Sequence, residues 1–237
     1  MTVAADKTPI LVADDEPPIL RLLQTALGAE GFRMLEAKDG KEAIAAIADE
    51  KPDAVILDLG LPDINGLEVI RHVRAQGEKV PIIVLSSHGD ERTKIEAFNL
   101  DADDYVTKPF SILELVARLR TAIRHRIQEQ GSEPVFRSGD LTVDLVRRIV
   151  TVRGAEVHLA PKEYDILRLL VLRAGMVLTH DFLVREIWGA AGQVQYLRIY
   201  IRQLRQKIEQ DPERPAHIIT ETAVGYRLQM HEIEAAA

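Results

Sequence analysis

The chain has 237 residues, 46% of them apolar, which suffices for one large domain or two ordinary ones with properly buried cores. It contains no Cys, so disulfides, thiolate zinc sites and cysteine nucleophiles are excluded, and any metal must be held by oxygen or imidazole. The net charge of −7 is unevenly spread, with 16 Lys and Arg against 23 Asp and Glu in residues 1–131 and 14 of each thereafter.

The opening MTVAADKTPILVADDE lacks the basic flank and cleavage site of a signal peptide, and no apolar run approaches the ~20 residues that span a bilayer. A cytoplasmic location is expected. Residues 1–128 then alternate short β-branched runs with helical patterns. Strands are expected at Ile10–Ala13, Arg33–Ala37, Ala54–Asp58, Ile82–Ser86 and Tyr105–Lys108. Between them Leu20, Leu23 and Leu27, then Ile44 and Ile47, then Ile70 and Val73 recur at helical spacing, and an amphipathic segment closes the series at Ile112–Gln128. Five such units make an α/β domain, a doubly wound, flavodoxin-like, five-stranded parallel sheet. The polar EQGSEP at 129–134 reads as a linker.

Residues 135–232 are expected to form an α+β domain, followed by a tail at 233–237. Its strands fall at Leu141–Asp144, Arg148–Val152 and Val157–Leu159, its helices at Pro161–Arg173, Asp181–Ile187 and Val194–Glu209, and a hairpin at Ile218–Thr220 and Tyr226–Leu228 closes it. Strands, three helices and a hairpin are the order of a winged helix-turn-helix.

In a doubly wound sheet, sites form beyond the carboxyl ends of the strands. Three carboxylates lie there: Asp14 and Asp15 after ILVA, and Asp58 after VIL. Packed together they repel one another unless a divalent cation sits among them, and an all-oxygen set suits Mg2+ first and Mn2+ second. Ser86 and Lys108 end two further strands, offering a hydroxyl and a cation to the oxygens of a phosphoryl group carried by a carboxylate. Asp58, on the central strand, is best placed as that nucleophile. An Asp at a strand end ordinarily caps a helix or makes a turn. Five such residues along one edge of one sheet are not accounted for in that way.

The segments ILVADDE, VILDLGLPDINGLEV, PIIVLSS and ADDYVTKPF resemble, in order and spacing, the receiver domain of response regulators over residues 8–126. The resemblance implies that Asp58 is the phosphoacceptor, Asp15 a direct metal ligand, Asp14 a ligand through water, and Gly60 a metal ligand through its carbonyl. It implies a switch made of Ser86 and Tyr105, a conserved cation at Lys108, and a cis bond to Pro109. Asp101 stands where the family usually has a Gly at positive φ, and Ser87 where it commonly has Ala. The family also pairs charges across a two-fold dimer on helix 4, strand 5 and helix 5, implicating Lys94, Asp103, Asp104, Glu114 and Arg118.

In the second half, Val194, Leu197, Ile201, Leu204 and Ile208 share one stripe of a helix that also carries Arg198, Arg202 and Arg205 and no acid before Glu209. The segments LAPKEYDILRLL, VLTHDFLVREIWG, YLRIYIRQLRQKIE and TAVGYRL resemble the OmpR/PhoB-type effector domain over residues 135–230. This implies a recognition helix at Val194–Glu209, with Tyr196, Arg198, Arg202 and Arg205 on promoter DNA and Thr222 on the wing, where Ala223 replaces a frequent Gly. Trp188 opens the loop that in this family faces RNA polymerase, although a core aromatic is the simpler role. YLRIYIRQLRQKIEQDPERPAHIITET resembles most the KdpE type, regulators of potassium-uptake operons served by KdpD-like membrane histidine kinases. The expected function is that of a phosphorylation-activated transcription regulator that dimerises, and not an enzyme. Two alternatives are an aspartyl-phosphate phosphotransferase and a phosphorylation-dependent protein-binding module. The first lacks its acid/base Asp two residues after Asp58, where Gly60 stands, and the second is opposed by the Arg-bearing helix and the wing.

Overall fold

The structure, a computed structural model, describes residues 7–87, 91–189 and 192–231. The expected tail at 233–237 and the first six residues of the opening segment lie outside them. The chain divides into two compact units, residues 7–129 and residues 130 onward.

In the first unit, β1 (Thr8–Ala13), β2 (Phe32–Ala37), β3 (Ala54–Asp58), β4 (Ile82–Ser86) and β5 (Asp104–Thr107) form one parallel sheet in the order β2-β1-β3-β4-β5. Strands β1, β3 and β4 are buried at every residue, because helices cover both faces of a parallel sheet, and this is why their sequences are unbroken apolar runs. The covering helices are α1 (Pro17–Ala29), α2 (Gly40–Glu50), α3 (Gly66–Ala75), α4 (Glu91–Asn99) and α5 (Ile112–Glu129). They bury the stripes their spacing announces: Leu20, Leu23 and Leu27 on α1, and Val69, Ile70 and Val73 on α3. Each such side chain, once buried, contributes about 1.5–3 kcal/mol.

The loop after β3 is braced against α2. Asp63 accepts the backbone N–H of Gly40 at 2.7 Å and of Lys41 at 3.2 Å, while Asp39 caps the same helix by accepting the N–H of Glu42. At Gly66 a Cβ would overlap the carbonyl oxygen of Asp58, so only glycine lets α3 start this close to the end of β3.

In the second unit, β6 (Val135–Ser138), β7 (Leu141–Asp144), β8 (Ile149–Val152) and β9 (Ala155–Glu156) make an antiparallel sheet in sequence order. There follow α6 (Pro161–Leu172), β10 (Val177–Thr179), α7 (His180–Trp188) and α8 (Val194–Ile208). A hairpin of β11 (Ile218–Glu221) and β12 (Gly225–Leu228) pairs with β10 in the order β10-β12-β11. The buried stripe of α8 is Leu197, Ile201, Leu204 and Ile208. Val157–Leu159, expected as a strand, is not one. Gly154, at φ 77°, turns the chain early, so the return pairing falls on Ala155 and Glu156, and Val157 keeps one bond from its N–H to the Val150 carbonyl.

Candidate functional site

Sheet register assembles the first site. Ala13 lies opposite Leu57, Asp58 opposite Leu85, and Ser86 opposite Thr107. Asp14 and Lys108 each follow by one residue the end of a strand in that row, so Asp14, Asp58, Ser86 and Lys108 share one edge. Lys108 Nζ reaches Asp14 Oδ2 at 2.8 Å, Glu16 Oε1 at 2.9 Å and Asp58 Oδ2 at 3.2 Å. Asp14, Asp58 and Ser86 are buried, as is Tyr105, which packs into the main core of this unit. The Lys108–Pro109 bond is cis, and Asp101 has φ 61°, as the receiver resemblance implies for that position.

Charge follows from this packing. Burial alone would lower the Lys108 ammonium, but its hydrogen bonds to Asp14 and Glu16 and the charge of Asp58 hold it well above the ordinary lysine value. Burial pushes the Asp14 carboxyl up, and the hydrogen bonds from Lys108 and from the Glu16 backbone oppose that rise. A second cation at this edge would act in the same sense as Lys108.

Among the described residues, Asp14, Glu16 and Asp58 offer carboxylate oxygens within 4.8 Å of one another. The set is all-oxygen and fits a hard divalent cation. A Cβ at Gly60 would meet Asp58 Oδ2 at 3.6 Å, so the absence of a side chain there leaves the carboxylate open. Asp15 is exposed and is not part of the group of three. Glu16, the next residue in the same acidic run, supplies the third oxygen of that group, and no spacing signal in the sequence singled it out.

The residues implied in a dimer face make bonds within the chain. Arg118 donates to Asp104 at 2.8 Å and to Glu114 at 2.8 Å, while Asp103 receives Arg74 and the N–H of Ile82. Lys94 is exposed on α4, alongside Ile95 and Phe98, and Leu113 is exposed on α5.

In the second unit, Tyr196, Arg198 and Arg202 are exposed along α8, and Thr222 is exposed at the hairpin turn beside Ala223, which holds φ 63°. Arg205 behaves differently. It is half-buried and donates to the Ile218 carbonyl and to Thr220 Oγ1. Trp188 is half-buried against Tyr200, with ring centroids 5.6 Å apart.

Residues 10–120 match the response regulator receiver domain, and residues 147–228 match the C-terminal domain of transcriptional regulatory proteins. The chain is 47% identical over 225 residues to the KDP operon transcriptional regulatory protein KdpE of Escherichia coli, covering 94% of this chain and 100% of the relative. It is 44% identical over 225 residues to the transcriptional regulatory protein KdpE of Mycobacterium tuberculosis, covering 94% of this chain and 99% of the relative. Among solved structures, the CheY-like response regulator receiver domain protein of Methanospirillum hungatei matches with a TM-score of 0.50 at 23% identity, over 52% of this chain and 99% of that one, a likeness of fold.

Proposed function

Because this chain belongs to the two-domain response regulators, in which a receiver precedes a DNA-binding transcriptional regulatory domain, we propose that Asp58 is its phosphoacceptor. The observation that carries this is the convergence of Lys108 on Asp14, Glu16 and Asp58 at one sheet edge. A carboxylate oxygen of Asp58 attacks the phosphorus of a phosphohistidine on a sensor kinase. The phosphorus–nitrogen bond breaks as the acyl phosphate forms, and the imidazole leaves with the bonding pair. Lys108 holds an oxygen of the transferred group and stays charged throughout, and the Ser86 hydroxyl takes another.

Asp14, Glu16 and Asp58, on their geometry, and Asp15 and the Gly60 carbonyl, on the receiver resemblance, would hold Mg2+ or Mn2+ here. The ion would neutralise charge on the phosphoryl oxygens. In the second unit, Arg198, Arg202 and Tyr196 on α8 and Thr222 on the hairpin face promoter DNA, with Arg on phosphates or guanine edges. Because both relatives carry the KdpE name, the target is a promoter of the KDP operon type. On the receiver and effector resemblances, the phosphodonor is a KdpD-like kinase and the α7–α8 loop after Trp188 the contact with RNA polymerase. The protein works in the cytoplasm, and no helix among the described residues is long and apolar enough to cross a membrane.

Incubation with acetyl phosphate and Mg2+ tests the site. Wild type takes up a base-labile, acid-stable phosphoryl group, and Asp58→Asn takes up none. Undiminished label on Asp58→Asn would overturn the assignment.

A further inference from the structure

Arg205 lies one turn before the end of α8, on the flank that meets the hairpin. Its Nη2 donates to the Ile218 carbonyl at 2.6 Å and to Thr220 Oγ1 at 2.8 Å, and its guanidinium carbon lies 5.9 Å from the centre of the Tyr226 ring. Its Nε is fully enclosed. Burial lowers its pKa below the ordinary arginine value, opposed by Tyr226, Glu209 and Glu213, as for a guanidinium withdrawn from water.

One helical turn further on, the Glu209 carboxylate accepts the N–H of Ile218 at 2.8 Å, and also those of Ala216 and His217. Both backbone groups of Ile218 are therefore gripped from one side of α8, the carbonyl by Arg205 and the N–H by Glu209. Ile218 opens β11, and the pairing of β11 with β12 carries that grip to the turn at Thr222–Val224. Arg198 and Arg202 have no such burial and stand exposed on the helix.

We propose that Arg205 is a positioning residue, which fixes the angle of the hairpin against α8 and makes no DNA contact of its own. The proposal rests on the reading of α8 and the hairpin as the DNA-binding surface, and it withdraws Arg205 from the contacts expected from sequence. It separates two consequences that a direct contact would join. A lost phosphate contact flattens the salt dependence of binding by about one unit and spares the hairpin. A lost strut displaces the hairpin, whose turn, Thr222, Ala223 and Val224, carries no charge and whose strands carry only the paired Glu221 and Arg227, and so leaves the salt slope unchanged.

The test uses the full-length protein with beryllofluoride and a duplex selected by the wild type from a random pool. Affinity is measured against salt, and hydroxyl-radical footprints report the hairpin and the helix separately. Arg205→Met and Thr220→Val are each expected to lose protection under the hairpin and to keep it under α8. Arg205→Met should bind roughly tenfold more weakly, the size of a lost charge-assisted hydrogen bond, with the wild-type slope. A slope flatter by about one unit in Arg205→Met, or hairpin protection retained in either variant, overturns the proposal. Thr220→Val removes no charge and little bulk, so it decides the matter even if Arg205→Met folds poorly. A wild type with no footprint would instead overturn the DNA-binding reading itself.

Discussion

At the scale of single residues, what a side chain does here is set by which backbone it touches. Asp63 shows this on the approach to the site. Slight desolvation would raise its carboxyl, but the backbone N–H groups of Gly40, Ile64 and Lys41 outweigh that and hold it below the ordinary carboxylate value. A carboxyl depressed in the folded state contributes stability above the ordinary pKa of 3.8 and loses it as pH falls through the folded value. Asp63→Asn should therefore be less stable than wild type at pH 7, with the gap closing in acid. Denaturant unfolding from pH 7 downward checks this, and a gap that stays constant or widens in acid would contradict it. The Asp58, Ser86 and Lys108 cluster was legible because strand ends can be read from apolar runs. The share taken by Glu16, and the inward turn of Arg205, were not, since which of adjacent acids or arginines points to a site depends on local backbone direction that spacing does not encode.

Among elements, the three inner strands β1, β3 and β4 were legible because burial on both faces demands unbroken apolar runs. Strands β6 and β10 were not. Each has four residues or fewer, too short for its own pattern to show: β6 is one arm of a tight hairpin with β7, Ser138 facing Leu141, and β10 gets its strand character from a partner distant in sequence, Val177 pairing with Arg227. The join of α8 to β11 was also unread, because Glu209 looks like any charged residue at a helix end, yet it is buried at 6% exposure and satisfies three backbone donors. Glu209→Gln offers one acceptor oxygen where the carboxylate offered two. It should lower the stability of the C-terminal unit by about 1–3 kcal/mol, because buried backbone donors are left unsatisfied. Thermal unfolding of the full chain, followed at Trp188 in that unit, measures this, and an unchanged midpoint would show that the carboxylate grips nothing of consequence.

For the whole molecule, the proposed function would couple a phosphoryl site on one unit to a DNA-binding surface on the other through self-association. The face of α4, β5 and α5 carries exposed Ile95, Phe98 and Leu113 beside the Asp104–Arg118–Glu114 network. Isolated exposed ion pairs contribute about 0–1 kcal/mol each, so a dimer there needs the network and the apolar residues together. Phosphorylation, acting through Ser86 and Tyr105, would shift an existing equilibrium toward it. Two DNA-binding units would then act at high effective concentration, and modest single-unit affinity would be multiplied. The most direct measurement is a binding titration of the full chain on its selected duplex, with and without beryllofluoride, beside Asp58→Asn and Arg118→Glu. The account predicts that beryllofluoride tightens wild-type binding by roughly tenfold or more, as avidity requires, and leaves both variants at the unactivated affinity. Equal wild-type affinity with and without beryllofluoride, at concentrations that saturate Asp58, would contradict it.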